Sequence, residues 1–405
     1  MNEVYVNFSA LALNVEVYNE KRKLIFKKRR PNYEFLYDYN NRIIVENIMP
    51  EIYDIFDEVL KNNPRDTKVF LSSFGHSLIL LDQDKRPIDK GYCPIDNVSS
   101  NVEQNLKKKL KKINGLINGG YLPIFKIKNA NYENLSEWTT LKGWILINLI
   151  HENIIEITDV SSSGFLDYKQ RCFSETIMKL VDKKNLIYPS ISKKDINYKF
   201  EYKGYNFLIG TGISEVYAKH LAITKKENNI SSAIDDFICS KVIVNKAIQV
   251  DDKLDFCYPI TNGKYIYGYF SKNGINNIKF VLSQLDIDYE KLNELDFSNS
   301  TIEGGQVSFF KEDDYLLYQQ KVLTYNFTKN TIFTIISQIV DKVKDFRTNI
   351  ELKLNKKCQL FISGKGLKIK DINNQLKNLS NNNFTFKEVE EANPINGMKE
   401  YFKKN

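Results

Sequence analysis

The segment Lys68–Ile88 most constrains the fold, because it places a hydroxyl-rich loop between two buried strands. Val69–Leu71 and Leu78–Leu81 are apolar and bounded by polar turn residues, which is typical of buried strands. The loop between them contains Ser73 and His76. Open α/β sheets bind ligands at such strand ends, so both side chains are candidate binding residues. The alternative is a polar hairpin in which a backbone carbonyl caps the imidazole.

The length and composition exclude several classes of protein. A chain of 405 residues provides about two to three domains with large cores. Its longest apolar run, Trp144–Ile150, is too short to span a bilayer, and the strand-like N-terminus lacks the basic segment of a signal peptide. The 5 cysteines occur singly beside only 3 histidines, which argues against a metal site and a disulfide framework. We therefore expect a cytoplasmic protein with no membrane segment.

The net charge of +8 includes one dense basic run, Lys107–Lys112. Leu106, Leu110 and Ile113 recur there at helical spacing, which places the lysines on the outer side of an amphipathic helix. A solvated helix face explains this pattern better than nucleic-acid binding, because no recognition module and no interleaved aromatic residues accompany it. Docking of an acidic partner on this face is left open as an alternative.

The order of the predicted elements indicates an α/β protein with two blocks. A meander of short strands opens the chain, and an amphipathic helix at residues 48–61 precedes the strands around His76. A polar loop is expected at Glu156–Leu166, and a strand at Tyr205–Gly210 opens the second block. The other expected elements are strands at Leu221–Thr224, Tyr265–Phe270 and Gln359–Ser363 and helices within residues 101–116, 135–150, 213–220 and 332–343. We expect domains at residues 1–203 and 204–405, as two related lobes with a ligand-binding cleft between them.

Several segments resemble, in chain order, those of the FGGY family of carbohydrate kinases, in particular gluconokinases and xylulokinases. Leu71–Ile88 is similar to the sugar-loop segment of the family, with its Ser-Ser pair, its His and its Asp turn. Pro94–Asn97 falls where the family has a Trp-x-Asp-x-Arg segment. The other similar segments are Leu141–Asp167, Phe256–Gly274, Leu360–Gly366 and Glu390–Gly397.

The resemblance implies an actin-like, duplicated ribonuclease-H-like fold in which a sugar and ATP with Mg meet between two lobes. It implies Ser73, His76 and Asp96 as sugar-binding residues. On the nucleotide side, the matching positions are Asn7, Thr224, Lys225, Lys226, Gly364 and Gly366. Phosphoryl transfer to a sugar hydroxyl needs a proton acceptor, donors around the phosphates and a carboxylate for the metal.

The chain departs from the family pattern at the positions that phosphoryl transfer needs. Asn7 is neutral where the first phosphate loop has an aspartate, and Leu11 replaces a hydroxyl donor of that loop. Ile213 stands where the family has its general-base aspartate. Glu215 is a weak substitute, because on a helix it points about 200° away from Ile213. These substitutions argue against productive binding of ATP and Mg.

These observations support three functional hypotheses. The leading one is a carbohydrate-kinase homologue of the gluconate or pentulose class with phosphotransfer lost or severely weakened, which binds a sugar or acts as a regulatory partner or homodimer. The second is an active kinase with relocated groups, with Glu215 or Asp96 as the base and with Lys225 and Lys226 on the phosphates. The third is a basic protein that binds an acidic partner or nucleic acid through Lys107–Lys112.

Overall fold

The fold is that of a computed structural model, which describes residues 1–95, 102–183, 185–224, 226–302, 328–379, 384–386 and 392–403. The chain forms two compact units. Unit 1 comprises Met1–Ala222, Tyr258–Tyr265 and Pro394–Asn405, and unit 2 comprises Ile223–Cys257 and Ile266–Asn393. The domain boundary expected after residue 203 falls in the turn between two paired strands of unit 1, and it stays a prediction.

The regular elements alternate along the chain. The strands are β1 (Asn2–Phe8), β2 (Ala12–Tyr18), β3 (Leu24–Pro31), β4 (Thr67–Ser73), β5 (Ile79–Leu81), β6 (Glu137–Thr139), β7 (Ile154–Glu156), β8 (Leu166–Asp167), β9 (Cys172–Phe173), β10 (Ser190–Ser192), β11 (Asn197–Tyr202), β12 (Tyr205–Gly210), β13 (Ile213–Ser214), β14 (Ile230–Ile234), β15 (Ile238–Val244), β16 (Asp255–Pro259), β17 (Tyr265–Ser271), β18 (Leu360–Ser363) and β19 (Phe384–Phe386). The helices are α1 (Ile48–Asn62), α2 (Gln104–Asn114), α3 (Pro123–Asn129), α4 (Leu141–Ile150), α5 (Ile157–Ser161), α6 (Glu175–Val181), α7 (Glu215–Ile223), α8 (Ile275–Gln284), α9 (Lys329–Leu354), α10 (Lys370–Asn378) and α11 (Pro394–Phe402).

Unit 1 is built on a 7-stranded mixed sheet with the order β11-β12-β4-β1-β2-β3, in which β13 also pairs with β4. The strands β1, β2 and β3 form the expected antiparallel meander. β4 lies parallel to β1, and β12 lies parallel to β4. Because parallel neighbours end at the same edge of a sheet, the loops after β1, β4 and β12 come together at that edge.

Unit 2 contains a 6-stranded sheet with the order β16-β17-β15-β14-β18-β19. The neighbouring strands β14, β15 and β17 correspond to the meander of unit 1. β18 lies parallel to β14, as β4 does to β1, and β19 lies parallel to β18, as β12 does to β4. When β11, β13 and β16 are left out, the two sheets have the same order: β3-β2-β1-β4-β12 in one and β17-β15-β14-β18-β19 in the other. This shared order is the duplication that the resemblance implies.

The helix α1 packs on the core of unit 1 because its apolar side chains recur at helical spacing. Ile52, Ile55, Phe56 and Val59 are all buried. The strand residues of the same core are Val4, Val6, Phe8, Leu13, Val15, Val17, Val69 and Leu71. Full burial of a side chain of this size contributes about 1.5–3 kcal/mol. This core supports the sheet edge at which β1 and β4 end.

Some element predictions are wrong. The strand expected at Leu221–Thr224 is the last turn of α7, in which Ala218 and Ile223 are buried. The polar loop expected at Glu156–Leu166 contains α5, which buries Ile157 and Val160. β5 pairs with β6 and not with β4, so the loop around His76 is not a hairpin turn.

The basic run Lys107–Lys112 lies in α2 as expected. Leu110 is buried, whereas Lys108, Lys109 and Lys112 are exposed to solvent. Within the ranges that the structure describes, no helix combines the length and the apolar character needed to cross a membrane.

Candidate functional site

Asn7 and Ile213, two positions at which the chain departs from the family pattern, lie on either side of Ser72 on neighbouring strands. These three residues form a row across the ends of β1, β4 and β13. Asn7 of β1 pairs with Ser72 of β4, and Ser72 pairs with Ile213 of β13. Ile213 is 0% exposed. The two amide atoms of Asn7 and the hydroxyl of Ser72 are buried and form no hydrogen bond to any residue that the structure describes. An amide, a hydroxyl and an alkyl group therefore lie side by side at this edge of the sheet.

Ser73, a predicted sugar-binding residue, ends β4 next to this row. It is buried, and its Oγ has no hydrogen-bond partner among the described residues. Leaving a buried donor or acceptor unsatisfied costs about 1–3 kcal/mol, which water or a ligand group recovers by forming the bond. Asn7, Ser72 and Ser73 thus provide unused hydrogen-bonding capacity at one end of the sheet.

His76 lies in the loop after β4 in a left-handed conformation, with a φ of 64°. Its backbone N–H donates to Ser162 Oγ at 2.9 Å, and its ring Nδ1 lies 2.6 Å from the carbonyl oxygen of Ser162. The ring of Tyr121 packs edge-on against the imidazole, 4.9 Å between centroids. Burial of the ring lowers the pKa of His76 to about 4, and the positive charge of Lys126 acts in the same direction. The imidazole is therefore neutral at physiological pH.

A buried charge network is connected to the His76 loop through Ser162. Ser162 Oγ donates to the carbonyl oxygen of Asp159 at 2.7 Å, and Thr140 Oγ1 donates to Asp159 Oδ2 at 2.8 Å. Nζ of Lys142 lies 3.8 Å from Asp159 Oδ2 and 3.8 Å from Glu156 Oε2. The three charged side chains are almost fully buried, so each carboxylate depends on Lys142 for its charge balance.

Thr158 extends the network to β13. Its Oγ1 donates to Glu156 and accepts a hydrogen bond from the backbone N–H of Ser214 at 2.8 Å. Burial raises the pKa of Glu156 to about 7, against the opposing effect of Lys142. Burial also raises the pKa of Asp159. The network therefore runs from the His76 loop to the strand that contains Ile213, and it holds protons near neutral pH.

Asp195 places a carboxylate next to the turn that precedes Ile213. Its Oδ1 accepts hydrogen bonds from the backbone N–H of Gly212 at 2.9 Å and from Thr211 Oγ1 at 3.2 Å. A Cβ at Gly210 would lie 2.8 Å from this Oδ1, so a larger residue there would displace the carboxylate. Burial raises the pKa of Asp195. The second oxygen, Oδ2, has no hydrogen bond to the residues that the structure describes.

The orientation predicted for Glu215 is wrong. Ile213 lies in β13 and α7 begins at Glu215, so the expected angle of about 200° between them on one helix does not apply. Glu215 is 6% exposed, and its Oε1 lies 3.0 Å from Nζ of Lys219. The role of Glu215 as a substitute base stays a prediction.

The other nucleotide-side positions lie in unit 2. Thr224 Oγ1 accepts a hydrogen bond from Asn229 Nδ2 at 2.9 Å, and Lys226 is exposed. Lys225 and the sugar-side candidate Asp96 lie outside the described residues.

Gly364 and Gly366 follow β18 and pack closely on Ile234 of β14. A Cβ at Gly364 would lie 2.4 Å from the carbonyl oxygen of Ile234, and a Cβ at Gly366 would lie 2.4 Å from its Cγ2. Gly364 also has a φ of 108°. Packing within unit 2 therefore requires both glycines, whether or not a nucleotide binds.

The described residues do not fit ATP and Mg in the way that the resemblance implies. Asn7 has no charge to hold a cation, and Leu11, 65% exposed, presents an apolar side chain in the turn between β1 and β2. Across the described ranges, no group of three or more His, Cys, Asp or Glu side chains is placed to hold a metal ion. We therefore derive no step through a bound nucleotide.

Lys142, Glu156, Asp159 and Asp195 are not among the site residues predicted from the sequence. Lys142 could have been recognised from the sequence, because it is the only charged residue in the apolar helix α4. No pattern in the sequence indicates Asp195, because its position depends on a hydrogen bond from Gly212, 17 positions away.

Comparisons with known proteins agree with this fold. Residues 12–199 match the N-terminal domain of the FGGY family of carbohydrate kinases. The chain is similar to the gluconate kinase from Lactobacillus acidophilus, with 16% identity, a TM-score of 0.78 and coverage of 98% of this chain and 88% of that chain. It is also similar to the ligand-bound xylulose kinase from Lactobacillus acidophilus, with 17% identity, a TM-score of 0.77 and coverage of 100% and 90%. The chain is similar as well to the Plasmodium falciparum glycerol kinase with ADP, with 13% identity, a TM-score of 0.74 and coverage of 98% of this chain and 88% of that chain. No protein with a curated description matches the sequence.

At identities this low the solved structures show the fold alone, and the match to the family covers residues 12–199, which is less than half of the chain. The structural similarity confirms the expected actin-like, ribonuclease-H-like fold with two lobes. Residues 12–199 of the chain therefore resemble the N-terminal domain of the FGGY family of carbohydrate kinases.

Proposed function

We propose that this protein is a homologue of ATP-dependent sugar kinases of the gluconate or pentulose class that binds a sugar or sugar acid and has lost most or all phosphotransfer. Ser73 and His76 form the sugar side of the proposed site in unit 1, with Asp96 as a further candidate. Binding of ATP and Mg is weak or absent in this proposal. Cytoplasmic location, a homodimer and a regulatory protein partner stay predictions.

The row Asn7–Ser72–Ile213 is the observation that carries the proposed loss of phosphotransfer. Phosphoryl transfer needs a proton acceptor and a charged metal ligand, and this row offers an amide, a hydroxyl and a buried alkyl group. Loss of a general base alone costs about 10²–10⁴ in rate. The missing metal carboxylate removes a second contribution, so useful turnover is not expected.

Retained polar geometry supports the proposed sugar binding. His76 is held by two contacts with Ser162, the residue that follows α5, and Asp159 of α5 is anchored to Thr140 and Lys142. The buried hydroxyl of Ser73 has no partner in the described part of the chain. A preorganised set of hydrogen-bonding groups of this kind suits a ligand with many hydroxyls.

Thermal unfolding in the presence of xylulose, gluconate or Mg-ATP tests the proposal. A ligand at a hundred times its Kd adds about 2.7 kcal/mol to the free energy of unfolding, so a bound sugar raises the melting temperature measurably. We expect a rise with a sugar, none with Mg-ATP, and no ADP when all components are mixed. A rise with Mg-ATP, or sugar-dependent ADP formation at an ordinary kinase rate, contradicts the loss of phosphotransfer. An unchanged melting temperature with both xylulose and gluconate contradicts sugar binding.

The carboxylate of Asp195 favours a second candidate function, an active carbohydrate kinase with a relocated base. The variant Asp195→Asn separates the two candidates, because its amide oxygen still accepts the hydrogen bonds of Gly212 and Thr211 but has no basicity. The second candidate requires that the wild type forms ADP with a sugar and that Asp195→Asn lowers this rate about 10²-fold or more. Equal rates in both proteins exclude Asp195 as the base.

A further inference from the structure

The strand β11 is the last strand at one end of the sheet of unit 1, so one of its two edges is open. Its other edge pairs with β12 through a hairpin whose two turn residues, Lys203 and Gly204, have φ values of 50° and 80°. In a hairpin with a two-residue turn of this kind, the residues that flank the turn exchange both backbone hydrogen bonds, and the bonding direction then alternates along the strand. Tyr202 and every second residue before it therefore bond to β12, whereas the backbone groups of Lys199 and Glu201 point to the open edge.

The open edge of β11 has no partner in the part of the chain that the structure describes. The side chains of Lys199 and Glu201 are exposed, and neither residue forms a hydrogen bond or an ion pair across this edge with a described residue. On the opposite face of the strand, Tyr198, Phe200 and Tyr202 pack on the core of unit 1 and are only partly buried. An edge with free backbone groups can add a further strand.

The sequence of β11 is self-complementary toward a second copy of the strand that runs antiparallel to it. Its central residues are Tyr198-Lys199-Phe200-Glu201-Tyr202. When Phe200 lies opposite Phe200 of the second copy, Lys199 lies opposite Glu201 of that copy, and Tyr198 lies opposite its Tyr202. The Lys199–Glu201 pairs then occupy the hydrogen-bonded positions, and the aromatic pairs occupy the non-hydrogen-bonded positions, where side chains are closer. Opposite charges and aromatic rings are both favourable cross-strand pairs.

Other registers and other partners lack this agreement. A shift by two residues places Lys199 opposite Lys199, or Glu201 opposite Glu201, and like charges directly opposite each other are destabilising. A shift by one residue places outward backbone groups opposite groups that bond to β12, and it turns the side chains of the second copy to the other face. A purely acidic or purely basic peptide would match only one of the two charges. The edge therefore fits one register of its own sequence best.

We propose that β11 pairs with β11 of a second copy of this chain, antiparallel and centred on Phe200. The 7-stranded sheet of unit 1 then continues into the same sheet of the second copy. The interface uses the same surface on both copies, which is the arrangement of a two-fold dimer, and it covers the edge that each copy leaves open. This inference goes beyond the proposed function and does not depend on sugar binding.

Two charge-reversal variants test the register. Lys199→Glu places carboxylates opposite each other, and Glu201→Lys does the same with ammonium groups, so we expect each variant to dimerise at least about tenfold more weakly than the wild type. In an equimolar mixture of the two variants, each carboxylate of one chain lies opposite an ammonium group of the other. We therefore expect a heterodimer with about the wild-type affinity. The double variant Lys199→Glu/Glu201→Lys should recover the dimer as well.

Sedimentation equilibrium of the full chain, without ligand, at low salt and over a range of protein concentrations, measures the dissociation constants. The control is Lys108→Glu, which makes the same charge change on an exposed lysine of α2 and should dimerise like the wild type. A wild type that stays monomeric at every concentration overturns the proposal. A dimer that both single variants leave intact, or a mixture of them that does not recover it, overturns it too. Sugar binding takes no part in this measurement, so its failure or success is established separately.

Discussion

At the scale of single residues, Lys142 is the side chain on which the buried charge network depends. Its Nζ lies 3.8 Å from both Glu156 and Asp159, and it is 2% exposed. Lys142→Met keeps the length and apolar contacts of the side chain but leaves two buried carboxylates without a positive charge. We expect unit 1 to lose about 3–5 kcal/mol of stability in urea unfolding. The exposed Lys108 provides the control, since Lys108→Met should change stability by less than about 0.5 kcal/mol. Equal effects of the two variants would contradict the proposed dependence.

The titration of Glu156 predicts a second measurable property. Its pKa is raised to about 7 in the folded protein, so between its unfolded value and pH 7 the native state binds more protons than the unfolded state. Stability therefore falls as the pH rises through this window, by at most about 1.4 kcal/mol per pH unit for one proton. Glu156→Gln removes this contribution, since glutamine does not titrate.

Urea unfolding at pH 5, 6, 7 and 8 measures this effect. We expect the wild type to lose stability relative to Glu156→Gln as the pH rises, with most of the change complete near pH 7. The raised pKa of Asp159 acts with the same sign and is common to both proteins. A constant difference between the two proteins across the series would show that Glu156 is charged throughout.

At the scale of elements, the connection between β12 and β13 depends on Gly212. This residue has a φ of 75°, and a Cβ on it would lie 2.1 Å from the carbonyl oxygen of Leu71 in β4. Gly263 is a matched control, because it has a φ of 76° but no atom within 4 Å of the same position. Gly263→Ala should therefore lower the free energy of unfolding by about 1–2 kcal/mol, which is the strain of the left-handed backbone alone.

Gly212→Ala adds a steric overlap to the same backbone strain. We expect it to cost about 1–3 kcal/mol more than Gly263→Ala in urea unfolding. Equal losses would mean that β4 and β13 separate without cost, and the row that joins Asn7, Ser72 and Ile213 would then not be rigid.

Elements with strong periodicity could be predicted from the sequence, and those without it could not. The meander and the helix α1 follow from alternating or helical spacing of apolar residues. The apolar run Leu221–Thr224 has no period of its own, and only its packing decides that it continues α7. The strand β14 (Ile230–Ile234) was not predicted, because its two central serines interrupt the apolar pattern although both are buried.

The candidate site could be predicted only in its local part. Ser73 and His76 follow a strand end, which a sequence pattern can indicate. The partner of His76 is Ser162, 86 residues away, and no spacing rule connects them. Asp195 likewise reaches the turn before Ile213 through the pairing of β11 with β12. The functional groups come together through tertiary contacts, so a single sequence contains no direct record of them.

At the scale of the whole molecule, the two sheets lie largely in different compact units and share an order of five strands. Proteins with more than one such unit often do not unfold in a single two-state step. The chain provides a selective probe, because both of its 2 tryptophans, Trp138 and Trp144, lie in unit 1. Tryptophan fluorescence therefore reports on unit 1, whereas far-UV circular dichroism reports on both units.

Urea unfolding followed by both probes gives the last prediction. We expect the fluorescence and dichroism transitions not to coincide, because two compact units can unfold in separate steps. Xylulose at a hundred times its Kd should shift the fluorescence transition by about 2.7 kcal/mol in the free energy of unfolding, since the proposed sugar site lies in unit 1. The part of the dichroism change that comes from unit 1 should shift with it, and the part that comes from unit 2 should not. His76→Asn serves as the control, and at the same xylulose concentration its shift should be smaller. Coincident transitions that xylulose moves together would mean that the two units unfold as one, and a shift confined to the dichroism signal would place the ligand in unit 2.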